Sequence, residues 1–416
     1  MIVRPSLVAG TEGSQLGKAK YRVFGFSWLD VLLILWLLWQ LIYGLRAGLL
    51  VSLGGLAGFI AGAFGAFFAA PLASQYAPGP GWRAAFVIGV TVILIGAGHA
   101  IGIRVGRAIG THMKFGSIRS VNRILGGALN VVVGALVISM LAFGVTNLGI
   151  PVVSKQLSDS AVISRIDAWT PDPVKAAAAQ LRSLVLEEGI PQILNPSGPN
   201  VQVAAPTAST DTPAWNKAAK SVMMISGTAF QCGQNQTGTG FVIGKDRVLT
   251  NAHVVAGVAM PVVQTQTQGA LRARVVFFDP VKDLAVLAVD GLDAAPLPTA
   301  ANLPANSAAA FVGYPLGGPL QIRPATVLSS GPLLIPDITG SQKSLLDVYQ
   351  LAGNVQSGNS GGPLLDAAGN VVGVIFAKST ASEPVGFAFT MVETAPVIAA
   401  APMLSSPVAS GSCSVK

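Results

Sequence analysis

The sequence predicts two unlike halves, an N-terminal all-α transmembrane domain of four helices and a C-terminal all-β domain. Three observations predict this. Four long apolar stretches fill the first 150 residues. The 416-residue chain is 51% apolar and only 11% charged, too apolar to reside wholly in water. From Trp215 onward the texture changes to short β-rich runs broken by Gly, Pro, Asn and Asp.

The apolar stretches are residues 28–45, 49–72, 84–105 and 124–150. Each is long enough to cross about 30 Å of hydrocarbon as a helix rising about 1.5 Å per residue. Three further spans follow the first, and no small-residue cleavage site separates it from the second, so it is expected to stay in the mature chain. The second span places Gly54, Gly58 and Gly62 on one helical stripe. Either another backbone approaches closely there, or glycine is simply frequent in membrane helices.

The net charge of +8 is unevenly spread. Residues 1–150 carry 11 Lys/Arg against 2 Asp/Glu, residues 151–214 carry 4 against 6, and residues 215–416 carry 11 against 10. The basic excess therefore belongs to the membrane region and reads as topology. No basic run with interleaved aromatics supports nucleic-acid binding. Arg104, Arg107, Lys114, Arg119 and Arg123 lie between the third and fourth spans, whereas Arg83 alone lies between the second and third. The positive-inside rule makes the five-charge loop cytoplasmic, which puts both termini, and the whole C-terminal domain, outside. Arg4, Lys18, Lys20 and Arg22 in the N-terminal tail, residues 1–27, oppose this orientation and are outweighed by that loop.

Residues 151–214 read as a connection, with helical character over 159–188 and then a Pro/Ser/Thr-rich linker over 195–213. Strands are expected at 221–228, 239–243, 247–250, 274–278, 284–289, 309–313, 371–376 and 386–390. No helical domain, and no PDZ-like module, is expected after the last of them. The domain boundaries that follow are 28–150 for the membrane part and 215–416 for the β part. The two cysteines, Cys232 and Cys413, bracket the β part and either staple it in an oxidising compartment or are unrelated buried thiols.

The strongest chemical signal is Gly358-Asn359-Ser360-Gly361-Gly362-Pro363. Its glycines permit a sharp turn that projects the Ser360 hydroxyl while the Gly358 and Ser360 amides point at one spot, an oxyanion hole. A serine hydroxyl is a poor nucleophile without a neighbouring base. The chain has three histidines; His99 falls in the third span and His112 in the basic loop, which leaves His253, in Thr250-Asn251-Ala252-His253. The third member of such a set is a carboxylate that orients the imidazole. Asp279 and Asp283 are both local; Asp279 precedes Pro280 and reads as a turn former, while Asp283 leads directly into a strand and is favoured.

The order His, Asp, Ser, with the Thr-Asn-Ala-His, Asp-Leu-Ala-Val-Leu and Gly-Asn-Ser-Gly-Gly-Pro boxes, resembles the trypsin-like serine proteases of the HtrA branch. The strand residues Gly238-Thr239-Gly240-Phe241-Val242-Ile243 add to it. The N-terminal third resembles the CvpA-type (colicin V production) membrane domain, and the fusion resembles the membrane-bound acid-resistance proteases of the MarP type. The resemblance implies a chymotrypsin-like double β-barrel of six strands each, with His253 and Asp283 from the first, Ser360 from the second, and a crossover at 294–304. It implies a Cys232–Cys413 disulfide tying the tail to the first barrel. It also implies peptide-bond hydrolysis outside the cytoplasm, acting on protein or peptide substrates of the cell envelope under acid or oxidative stress.

Two departures from digestive relatives carry information. Asn359 stands where they have the aspartate that pairs with a new N-terminus on activation, so no such switch is expected. Asn354, six residues before Ser360, marks the base of the substrate pocket and offers no acid for a substrate Arg or Lys. Gly386, Phe387 and Ala388 form the expected facing wall, and an uncharged substrate side chain follows. Rival readings are a membrane scaffold with a non-cutting β domain, which has no need of these boxes, and an esterase, which lacks its Gly-x-Ser-x-Gly elbow here. No zinc spacing and no phosphate loop appears, so no cofactor or metal is implied. Oligomeric state is not encoded in any motif.

Overall fold

Ser27 and Asp30 close a capping box at the start of the first membrane helix. The Asp30 amide donates to the Ser27 hydroxyl at 3.1 Å, and the Ser27 amide donates to the Asp30 carboxylate at 3.0 Å. One of the two acids in the first 150 residues is thus spent on a helix end. The computed structural model describes residues 22–23, 26–76, 83–110, 116–185, 191–193, 206, 209–380 and 384–414. Residues 1–21 of the tail, residues 77–82, and His112 and Lys114 of the basic loop lie outside the described residues.

A short hairpin, β1 (Arg22–Val23) and β2 (Phe26–Ser27), precedes four long helices: α1 (Trp28–Ala47), α2 (Leu49–Gln75), α3 (Arg83–Gly110) and α4 (Gly116–Thr146). All four contain spans long and apolar enough to cross a bilayer. The fourth starts eight residues earlier than its apolar run and stops at Thr146 instead of 150. The chain divides into two units, residues 1–139 and 140–416.

In the first unit the glycine stripe of α2 meets a matching stripe on α3. A Cβ on Gly58 would fall 2.1 Å from the Gly98 carbonyl oxygen, and one on Gly102 would fall 2.0 Å from that of Gly54. Only glycine lets the two backbones touch, which decides for close packing. The α1–α2 corner turns at Gly48 with φ +81, and Asn122 of α4 fills the space beside it and accepts from the Leu50 amide at 3.2 Å.

In the second unit the expected helix over 159–188 is three helices that begin earlier: α5 (Pro151–Ser158), α6 (Ala161–Trp169) and α7 (Asp172–Val185). Ser160 caps α6 by accepting from the Ile163 amide, and Pro171 precedes α7, so each break has a local cause. β3 (Gln192–Ile193) follows. Most of the 195–213 linker lies outside the described residues. Thr212 and Pro213 then start α8 (Pro213–Ala219), whose Trp215 indole donates to the Asp366 carbonyl at 2.7 Å.

The β part folds as two curled sheets. β4 (Val222–Ala229), β5 (Gln234–Gly244), β6 (Arg247–Thr250), the single turn α9 (Ala252–Val255), β7 (Val262–Thr265), β8 (Gly269–Arg272), β9 (Arg274–Asp279) and β10 (Leu284–Ala288) supply the first. It is antiparallel throughout, in the order β8-β7-β4-β5-β6-β10-β9. Residues 294–304 cross to the second sheet, with the Leu297 amide on the Val242 carbonyl and the Ala300 amide on that of Val371, both at 2.9 Å.

The second sheet comprises β11 (Ala308–Gly313), β12 (Gln321–Pro336), β13 (Lys343–Ala352), β14 (Pro363–Leu365), β15 (Val371–Ser379) and β16 (Val385–Thr390). Its order is β14-β11-β12-β13-β16-β15, and a β14–β15 pairing closes the ring while β3 adds in parallel to the end of β15. Phe376 and Phe389 stack inside with centroids 3.9 Å apart. The first sheet has seven strands, not the six that the resemblance implies: the five expected from the sequence and two more, because the Gln/Thr-rich run 262–272 forms the β7–β8 hairpin. A helix, α10 (Met391–Ala400), follows the last strand.

Candidate active site

β6 delivers the chain to Asn251, which starts the one-turn helix α9 and so presents His253, 7% exposed, at the edge of the first sheet. The β9–β10 corner delivers the carboxylate. Asp279 makes the turn, its Oδ1 accepting from the amides of Val281 at 2.9 Å and Lys282 at 3.0 Å. Asp283 then adopts φ +49, a left-handed conformation uncommon outside glycine, and aims at His253. Its Oδ1 accepts from the His253 amide at 2.8 Å, and its Oδ2 lies 2.7 Å from Nδ1. A carboxylate only accepts, so Nδ1 carries the proton and Nε2 is left as the basic nitrogen. The Asn251 side-chain amide donates to the Asp283 carbonyl at 2.7 Å and holds the corner against the histidine turn. His99, by contrast, sits on the Gly55 carbonyl inside the helical unit.

The second sheet supplies Ser360, 2% exposed, whose hydroxyl donates to the Phe376 carbonyl at 3.4 Å instead of to His253. Loose contacts of this kind are usual before substrate binds. The serine turn and the histidine turn pack on the same strand. A Cβ on Gly238 would fall 2.5 Å from Val254 and 3.1 Å from the Ser360 carbonyl oxygen. A Cβ on Gly361, at φ +81, would fall 2.4 Å from Thr250 Oγ1 and 3.0 Å from the Asn251 amide nitrogen.

The backbone of the serine turn can be accounted for group by group. The Ser357 carbonyl accepts from the Leu316 amide at 2.6 Å, the Gly358 carbonyl from Thr239 Oγ1 at 2.6 Å, the Asn359 carbonyl from the Gly362 amide at 2.9 Å, and the Ser360 carbonyl from the Thr239 amide at 2.8 Å. The Asn359 amide donates to Gln356 and the Gly361 amide to Ile375. Among the described residues, the Gly358 and Ser360 amides alone in this turn have no acceptor in the chain.

Asn359 is fully buried, and its Oδ1 accepts from the Gln356 amide at 2.9 Å, so the residue braces the turn from within. Asn354 is exposed, and its carbonyl accepts from Arg323 Nη1 at 3.2 Å. Its neighbour Val355 stands over Gly386, where a Cβ would fall 2.3 Å away. Phe387 and Ala388 are fully buried in two separate core clusters, and Val355 belongs to the same cluster as Ala388. Cys232 and Cys413 are bonded, and the tail runs along the first sheet, with the Val408 amide on Val275 and the Gly257 amide on Ser410.

Residues 238–374 match the trypsin-like peptidase domain family, and residues 29–171 match the colicin V production protein family. A relative from Mycobacterium tuberculosis, named serine protease Rv3671c, is 33% identical over 394 residues, which are 93% of this chain and 98% of that protein. The chain belongs to the Rv3671c (MarP) family of serine proteases. The crystal structure of the Rv3671c protease in its active form is similar at 35% identity with a TM-score of 0.50, covering 54% of this chain and all of that one. Protease Do-like 1 from Arabidopsis thaliana, 35% identical over 159 residues, is similar over 36% of each chain. This member of the family is therefore a multi-pass, membrane-associated HtrA-like serine protease with peptide substrates.

Tyr314 and Leu316 were not singled out by the sequence, and Thr239 only as part of a strand, although each contacts the serine turn. Thr239 sits inside the Gly-Thr-Gly run, where a buried hydroxyl between two glycines is itself a signal. Its Oγ1 donates to Gly358 and accepts from the Tyr314 amide at 3.0 Å. Burial pushes the Tyr314 phenol up to about 12, so it stays neutral and donates to the Val222 carbonyl.

Proposed function

We propose that this protein is an endopeptidase that cleaves extracytoplasmic proteins with Ser360 as nucleophile, His253 as base and Asp283 as its orienting carboxylate. The single observation that carries the reading is the conjunction of an imidazole held by Asp283 at Nδ1 with two unpaired amides, Gly358 and Ser360, beside the serine. On substrate binding the Ser360 hydroxyl turns from the Phe376 carbonyl to the histidine. Its oxygen attacks the scissile carbonyl carbon while its proton passes to Nε2. The Gly358 and Ser360 amides donate to the developing oxyanion, and Asp283 stabilises the imidazolium. Breaking the C–N bond returns the proton to the departing amine. Water then repeats the sequence on the acyl-enzyme.

In this reading residues 28–150 are the membrane domain, 151–214 the connection and 215–416 the protease domain. Arg104 and Arg107 at the end of α3, Arg119 and Arg123 at the start of α4, and Lys114 between them favour the cytoplasmic side there, and the Cys232–Cys413 disulfide favours an oxidising outer compartment for the protease. The resemblance to the acid-resistance proteases of the MarP type extends the proposal to envelope proteolysis under acid or oxidative stress. Asn354, which offers no acid for a substrate Arg or Lys, favours substrates with an uncharged side chain before the cut. Fluorophosphonate labelling of the full chain, paired with a peptide-library digest, tests the reading. Labelling and cleavage are both expected to vanish in Ser360→Ala. Cleavage that persists in Ser360→Ala, or a wild-type chain that cleaves esters and no peptides, overturns it.

A further inference from the structure

The Ser357–Gly358 peptide carries one of the two unpaired amides and one of the accepted carbonyls. A trans peptide is planar, with its C=O and N–H on opposite sides. Whatever holds the Ser357 oxygen therefore aims the Gly358 N–H the other way. The holder is the Leu316 amide at 2.6 Å, and Leu316 reaches it from φ +56, a conformation that a leucine adopts only when its surroundings impose it.

The turn around it and its neighbours impose that conformation. Residues 314–318 form two consecutive tight turns, the Gly317 amide on the Tyr314 carbonyl at 3.0 Å and the Gly318 amide on that of Pro315 at 2.9 Å. One end is pinned by the Tyr314 amide on Thr239 Oγ1. The serine turn fits closely beneath it, since a Cβ on Gly358 would fall 2.2 Å from the Tyr314 carbonyl oxygen and 3.0 Å from the Leu316 nitrogen. The other end is covered by α7. Ala179, in the alanine run of that helix and 2% exposed, comes so near that a Cβ on Gly318 would lie 3.0 Å from its own Cβ. α7 lies outside residues 238–374, the stretch matching the peptidase family, and belongs to the segment that joins the membrane spans to the protease.

We infer that Leu316 is a positioning residue for the oxyanion hole and that α7, through Ala179, holds its turn in the competent conformation. The inference rests on the proposed function. It makes the juxtamembrane helix a control element: a displacement of α7 reaches the Gly358 amide through Gly318, Leu316 and Ser357, and leaves the histidine and aspartate untouched. Its effect falls on stabilisation of the oxyanion, hence on kcat, and not on substrate binding.

Gly318→Ala in the full-length chain tests this, because its Cβ presses on Ala179 and on the Pro315 carbonyl oxygen. Losing an oxyanion donor outright costs about 10²–10³ in rate, and a displaced donor part of that. The expected result is a kcat reduced about tenfold with KM unchanged, and an inhibition constant for a peptide boronic acid raised by the same factor. Adding Ala179→Gly to the same chain is expected to restore both. A loss that Ala179→Gly fails to restore, an unchanged kcat, or a raised KM in place of a lowered kcat overturns the inference. Should Gly318→Ala not fold, Ala179→Leu applies the same pressure from the helix side and is expected to give the same split between kcat and KM; equal kcat in that variant and the wild type refutes the coupling. A wild-type chain without hydrolytic activity would instead defeat the proposed function itself.

Discussion

Asp283 grips His253 with both carboxylate oxygens, one on the backbone amide at 2.8 Å and the other on Nδ1 at 2.7 Å. The first contact fixes where the histidine stands and the second fixes which nitrogen is basic. Asp283→Asn keeps the shape but offers an NH₂ to one of those two donors, so the tautomer is lost. We expect kcat to fall by about 10⁴ with little change in folding stability. Steady-state kinetics beside urea denaturation of the same preparation check this; a drop under tenfold contradicts it.

The corner that carries Asp283 is braced by the loop after β12, where the Ile338 amide donates to the Pro280 carbonyl at 3.1 Å. Asp337 organises that loop. Hydroxyls and amides of Ser341 and Thr339, the Ser341 hydroxyl foremost, hold its carboxyl below the usual range. A depressed folded value means that the contribution is present above the ordinary carboxylate value of about 3.9 and is lost as pH falls through the folded one. Wild type should therefore exceed Asp337→Asn in stability by a constant amount above about pH 5 and lose that advantage only in stronger acid. Urea midpoints measured from pH 3 to pH 7 provide the comparison, and an advantage that grows on acidification contradicts the sign.

The Cys232–Cys413 disulfide closes a separation of 181 residues. Chain-entropy arguments assign about 2–5 kcal/mol to such a cross-link, through the unfolded state. Cys413→Ser is expected to lower stability by about that amount. The change should appear as a shifted urea midpoint in the oxidised protein and vanish when both forms are measured in reductant.

Gly58 and Gly65 lie on the same helix and make opposite predictions. A side chain on Gly58 collides with the Gly98 backbone, whereas a Cβ on Gly65 meets nothing within 4 Å. Gly58→Leu should weaken α2–α3 pairing by roughly 1–3 kcal/mol or more, and Gly65→Leu should leave it nearly unchanged. Thermal unfolding in detergent with intact protease activity as a reference separates the two; equal effects would reject the packing account.

Much of this protein was legible from residue order because the deciding forces are local. Apolar runs of membrane length need no partner to be recognised, and the boxes around His253, Asp283 and Ser360 announce a chemistry whose backbone turns depend on neighbouring residues. The α3 stripe of Gly98, Gly102 and Gly106 was open to the same reasoning as that of α2, since both repeat at four-residue intervals. β12 was not. Its run 321–336 contains Pro324, Gly331, Pro332 and Pro336, which read as turns, and it is a strand only because β11 and β13 pair along its two edges.

Tertiary structure alone decided the remainder. Nothing in the spacing between Ser357 and Leu316, or between Ala179 and Gly318, marks them as neighbours, and the exposed side of Asn354 is not visible from its distance to Ser360. Membrane spans and catalytic boxes are written in short windows, where composition and backbone preference suffice. The aim of the Gly358 amide is set by hydrogen bonds between segments 41 and more residues apart, and such bonds exist only once the two sheets have closed.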